Sequence, residues 1–132
     1  RPVSPLKEQP WRIILTHDAS SIPADSICLT DEFRDRTLVV ENVFNYLELL
    51  KKLYNNKKIG TILLEAGGCL VREFLKAGLV DEWVGFYAPI IIGGGADGVA
   101  PGPFLEHEAH LEQPVVNIFG DDVCIRGDIC YR

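Results

Sequence analysis

The sequence predicts an α/β domain built on a mixed sheet, and three observations carry that prediction. Short apolar runs rich in β-branched residues recur along the chain, segments with helical spacing separate the early ones, and the last two runs flank a two-residue turn. Residues 1–10 hold three of the eight prolines and show no period, so they read as an extended lead-in. Residues 11–16 form a buried strand ended by Asp18 and Ser20-Ser21, and Ile27-Cys28-Leu29 and residues 37–40 are two further short strands. Over residues 43–53, Val43, Phe44, Leu47, Leu50 and Leu53 fall at helical spacing. Asn42 is available as the cap, with Lys51, Lys52, Lys57 and Lys58 toward the end. Residues 59–64 are almost continuously apolar, the pattern of a central strand covered on both faces. After Gly67-Gly68 a second helix runs over about residues 70–77, and Gly78 closes it as a left-handed cap. Strands follow over residues 80–92, 111–119 and 121–131, the last two joined at Gly120-Asp121.

A chain of 132 residues with 47% apolar side chains has the size and composition of one domain, so residues 1–132 are expected to form a single core. The net charge of −6 and the absence of any basic run longer than Lys51-Lys52 or Lys57-Lys58 argue against nucleic acid as a partner. Apolar runs such as Ala88-Pro89-Ile90-Ile91-Ile92 are far shorter than the roughly 20 residues needed to cross a bilayer, so no membrane partner is expected. Cys28, Cys69, Cys124 and Cys130 show no Cys-x-x-Cys spacing and read as reduced thiols. His17, His107 and His110 lack ligand spacing, so no metal site is expected. No basic, apolar leader opens the chain, which reads as cytoplasmic; a removed plastid segment would leave no trace in it.

The run Ile62-Leu63-Leu64-Glu65-Ala66-Gly67-Gly68-Cys69-Leu70 carries the chemistry. A strand that passes through Gly-Gly into a helix presents free backbone N–H groups and the positive end of the helix dipole at the sheet edge, where an anion fits. Glycines there let the main chain approach a diphosphate closely, although the same pair also serves plain tight packing. Glu65 stands at the end of that strand, either as a surface carboxylate or as an acceptor beside a bound dinucleotide and substrate. Cys69, just inside the helix, has no histidine near it in sequence to support a nucleophilic role.

Leu64-Glu65-Ala66-Gly67, Leu70, Ala77-Gly78-Leu79-Val80-Asp81-Glu82, Ala88-Pro89, Gly93-Gly94-Gly95 and the closing residues 120–127 together strongly resemble the pyrimidine reductases of the riboflavin pathway. The resemblance covers nearly the whole chain. It implies a dihydrofolate-reductase-like fold with a mixed, mainly parallel sheet, flanking helices and a C-terminal antiparallel hairpin. It further implies reduction by NADPH of the ribosyl group of a ribosylaminopyrimidine 5′-phosphate to ribityl, by a homodimer. Position then assigns Glu65 to catalysis and substrate, and Gly67, Gly68, Cys69 and Leu70 to the cofactor diphosphate. The family more often has Pro-Thr where this chain has Gly68-Cys69, so a hydroxyl contact to phosphate is absent and backbone amides must do more. Thr16, His17 and Ser20 correspond to contacts with the adenosine half of the cofactor, or serve simply as turn formers. Arg1 corresponds to an arginine on the substrate phosphate, where a fork of donors suits a dianion.

The same resemblance places a further strand and an Asp-Pro segment before Arg1, so the chain is expected to be about the C-terminal two-thirds of a reductase domain. Two other readings remain: a non-catalytic dinucleotide-binding or dimerisation module with a reductase-like fold, and an NADPH reductase acting on another heterocycle, of the folate type among them.

Overall fold

A computed structural model describes residues 9–91, 99–103 and 105–132. The chain forms two compact units, Arg1–Thr61 and Ile62–Arg132.

In the first unit, strand β1 (Arg12–Thr16) pairs in parallel with β2 (Thr37–Glu41), Arg12 opposite Thr37 and Thr16 opposite Glu41. A parallel pair needs a crossover, and here it is held by polar ties. Arg12 makes a two-pronged bond to Asp31 at 2.7 and 2.8 Å, and the Thr37 hydroxyl donates to the Cys28 carbonyl at 2.7 Å. The expected strand at Ile27-Cys28-Leu29 is instead one helical turn, α1 (Ile27–Thr30), closed by Asp31 N–H on the Ile27 carbonyl. Three β-prone residues make no strand without a neighbouring ladder, and Ile27 is largely exposed.

Helix α2 spans Tyr46–Lys57, and its cap is Asn45 rather than Asn42. The Asn45 side chain accepts from the Glu48 N–H at 3.0 Å, whereas Asn42 sits at φ 50° and donates its N–H to the Thr16 carbonyl. The shift of the start turns Leu53 inward as the buried residue of this helix and leaves Phe44 outside it, almost fully exposed. Trp11 lies under two cations, Lys57 Nζ at 4.4 Å and Arg36 Cζ at 5.1 Å from its ring.

Residues 59–64 carry no regular secondary structure and no ladder among the described residues, which corrects the expected central strand. An apolar run becomes a strand only when a neighbour takes its N–H and C=O groups, and Leu63 is 79% exposed.

The second unit starts with helix α3 (Gly68–Lys76), which buries Phe74 and Leu75. It ends as the sequence suggested: Gly78 adopts φ 65°, its N–H bonds to the Leu75 carbonyl, and the Leu79 N–H reaches back to the Phe74 carbonyl. Strand β3 (Glu82–Tyr87), shorter at both ends than expected, pairs antiparallel with β5 (Asp122–Tyr131). The other edge of β5 pairs antiparallel with β4 (Ala109–Phe119) across the turn at Gly120-Asp121. The α/β class, the helices and the closing hairpin therefore stand, but among the described residues parallel pairing is confined to β1 and β2, and the three-stranded antiparallel sheet is the larger. A bulge between Glu112 and Val115, with Gln113 at φ 44°, bends β4 opposite Gly127. A Cβ at Gly127 would lie 3.1 Å from the Glu112 carbonyl oxygen. No helix among the described residues is long and apolar enough to cross a membrane.

The end of β5 is clamped to the chain leaving α3. The Tyr131 hydroxyl accepts from the Val80 N–H and donates to the Val80 carbonyl, both at 3.1 Å, and the Ile129 N–H bonds to the Asp81 carbonyl at 2.8 Å. Replacing Tyr131 by Phe keeps the ring and removes both hydroxyl bonds. It is expected to lower the unfolding free energy by about 1–2 kcal/mol in urea titrations. An unchanged midpoint would show that the hydroxyl contributes nothing.

Candidate functional site

The first turn of α3 is built from backbone. Gly67 is its N-cap, at φ −64° and ψ 156°, and no side chain caps the helix. The Gly67 carbonyl accepts from the Leu70 N–H at 3.0 Å and the Val71 N–H at 3.3 Å. The amides of Gly68 and Cys69 thus have neither a helical acceptor nor a capping side chain, and they stand at the positive end of the helix dipole. A Cβ on Gly67 would meet nothing within 4 Å, and φ −64° is open to any residue. Packing and backbone conformation therefore do not require a glycine there; free access to the adjacent amides is what its lack of a side chain provides. The residues present fit a diphosphate on these grounds.

Glu65 precedes this turn in the unpaired segment, so it does not sit at the end of a strand as expected. Its carboxylate is exposed and takes no hydrogen bond or ion pair from the described residues, which leaves both oxygens free to accept from a ligand. On the same first turn the Cys69 thiol is exposed and Leu70 is half-buried. All four cysteines are free thiols.

Thr16, His17 and Ser20 belong to the first unit, in the loop that leaves β1. The Thr16 hydroxyl accepts from the Asp18 N–H at 3.1 Å and lies 3.0 Å from the Asp18 carbonyl, to which it donates. Asp18 in turn accepts from both the hydroxyl and the N–H of Ser20, and these bonds hold its carboxyl below the usual range. The hydroxyls of Thr16 and Ser20 are accordingly engaged in forming the turn, whereas the exposed His17 ring makes no hydrogen bond within the described residues. Glu41, at the end of β2, accepts from the Ala19 N–H at 2.6 Å and ties the loop to the neighbouring strand. The Asp-x-Ser spacing was a usable signal for the Asp18 turn; nothing in the sequence linked Glu41 to Ala19, 22 residues earlier. Arg1 and Gly93-Gly94-Gly95 lie outside the described residues.

This arrangement of helices, parallel pair and closing antiparallel sheet is that of an α/β protein with a dihydrofolate-reductase-like fold. Two forms of Acinetobacter baumannii RibD share it, with TM-scores of 0.76 and 0.75 at 24% sequence identity, over 92% of this chain and 38% of theirs. The family described as RibD C-terminal domain matches residues 2–125, and the chain belongs to that family. The riboflavin biosynthesis protein RibD of Escherichia coli (strain K12) is 35% identical over 95 residues, which cover 68% of this chain and 26% of that protein. The chain thus spans well under half the length of the relatives it matches.

Proposed function

We propose that this chain works as an NADPH-dependent pyrimidine reductase of riboflavin biosynthesis, converting the ribosyl group of a 5-amino-6-(5-phosphoribosylamino)uracil-type substrate to ribityl. The observation that carries this reading is the open first turn of α3 beside the free Glu65 carboxylate, in a member of the RibD C-terminal domain family. When bound, NADPH supplies a hydride. The chain's part is to hold and orient: the turn from Gly67 to Leu70 lies against the diphosphate and the free amides of Gly68 and Cys69 donate to it, with backbone standing in for the hydroxyl that Cys69 lacks. Glu65 accepts hydrogen bonds from the polar substrate and steadies it for the transfer. His17 and the backbone at Thr16 serve the adenosine half of the cofactor, and Arg1 serves the substrate phosphate. The reaction is placed in the cytoplasm.

The protein is expected to oxidise NADPH, read as loss of the reduced nicotinamide absorbance, only when the ribosylaminopyrimidine phosphate is supplied. Cofactor binding without that turnover would leave a non-catalytic binding module as the better description. Within the same assay Glu65→Gln should keep NADPH affinity and lower turnover; equal turnover would remove Glu65 from the chemistry. Gly67→Val has room for its side chain, so it should fold normally yet raise the NADPH Kd by at least about tenfold, roughly 1.4 kcal/mol. Unchanged affinity would show that the turn does not meet the diphosphate. The apolar side chains exposed on β4, Val115, Val116, Ile118 and Phe119, supply the contact between two copies. Light scattering should then give twice the chain mass, and a monomer at micromolar concentration would refute the dimer.

A further inference from the structure

Helix α3 carries a basic side chain that is not turned to solvent. The Arg72 side chain is only 11% exposed, and Nη2 donates to the Pro103 carbonyl at 2.6 Å. Nη1 stands 3.6 Å from Glu73, and Nε is buried without a hydrogen-bond partner. The loop it grips is shaped to admit it. Gly102 has φ 126°, a conformation that residues with a Cβ rarely adopt, and a Cβ there would fall 2.7 Å from Nε and 3.2 Å from Cδ of Arg72. Pro101 and Pro103 restrict the backbone on either side. The arginine stem thus lies across a bare stretch of backbone, its fork closes on a carbonyl as a charge-assisted bond, and the contact joins segments 31 residues apart.

Arg72 follows Gly68 by about one helical turn, roughly 6 Å along the axis, so the clamp acts on the same rigid element that presents the diphosphate turn. Unlike a solvent-facing arginine, this side chain is largely shielded from water.

We propose that Arg72 is a positioning residue for the dinucleotide: by pinning the Pro101-Gly102-Pro103 loop to α3 it fixes the first turn and the free amides of Gly68 and Cys69. This rests on the reading of that turn as the NADPH diphosphate site. The test titrates the full-length protein with NADPH by fluorescence and measures steady-state kinetics for wild type, Arg72→Met, Arg72→Lys and Gly102→Ala, with circular dichroism melts on each. Arg72→Met and Gly102→Ala should raise the NADPH Kd and KM about fivefold or more while kcat at saturating cofactor stays within about twofold, and Arg72→Lys should recover part of the loss. A folded Arg72→Met with wild-type Kd overturns the proposal, as does a fall in kcat with KM unchanged. Should Arg72→Met fail to fold, Arg72→Lys and Gly102→Ala decide by the same criteria. Wild-type protein that does not bind NADPH at all overturns the functional reading and the positioning role with it. Normal wild-type binding with unaffected variants removes Arg72 alone.

Discussion

Strand β5 is hydrogen-bonded along both edges, to β3 and to β4, and the second unit takes its register from it. Its last residues also catch the chain between α3 and β3, through the Tyr131 hydroxyl on Val80 and the Ile129 amide on Asp81. Two residues before Val80, Gly78 turns the chain out of α3 in a left-handed conformation. Helix α3 is therefore anchored to the sheet at its C-terminal end, and because a helix is stiff over nine residues, that anchor also places its first turn. The proposed site is made of amides, which have no side-chain freedom with which to correct a misplaced helix, so on that reading the constraint at β5 bears on ligand binding.

What the sequence disclosed and what it hid divide along distance in the chain. The strands β1 and β2, the closing hairpin and the left-handed end of α3 rest on local patterns, and each appears where the residues indicated. Errors came where a local pattern needs a distant partner. Ile27-Cys28-Leu29 is β-prone but has no neighbour to pair with, so it closes on itself as a helical turn held from Thr37. Residues 59–64 have the composition of a central strand and no ladder. The start of α2 shows a different competition: Asn42 and Asn45 are both cap residues, and the bond from the Asn42 amide to Thr16 at the end of β1 leaves capping to Asn45.

The same division holds for the site. Glu65 and residues 67–70 lie in one contiguous stretch, so residue type and order are enough to propose them together. Thr16 and Ser20 stand where the resemblance puts adenosine contacts, and their hydroxyls are bonded within the Asp18 turn, the turn-forming role that their residue types also allowed. Nothing in the sequence marks Arg72, since a basic residue on a helix is ordinarily a solvated one. Its partner, the Pro103 carbonyl, belongs to a loop without any periodic signal.

Two glycines of the second unit answer to different pressures. Gly127 faces a carbonyl oxygen across the β4 bulge, where a Cβ would sit 3.1 Å away, so a replacement there asks the sheet to give by a few tenths of an ångström whether or not a ligand is ever bound. Gly67 has ordinary backbone angles and empty space around it, so folding places no demand on its identity. If the turn holds a dinucleotide as proposed, a lineage that kept this architecture but gave up that ligand should hold the first position as glycine more strictly than the second. The pair is thus a record, readable from sequences alone, of whether a given descendant still uses the turn.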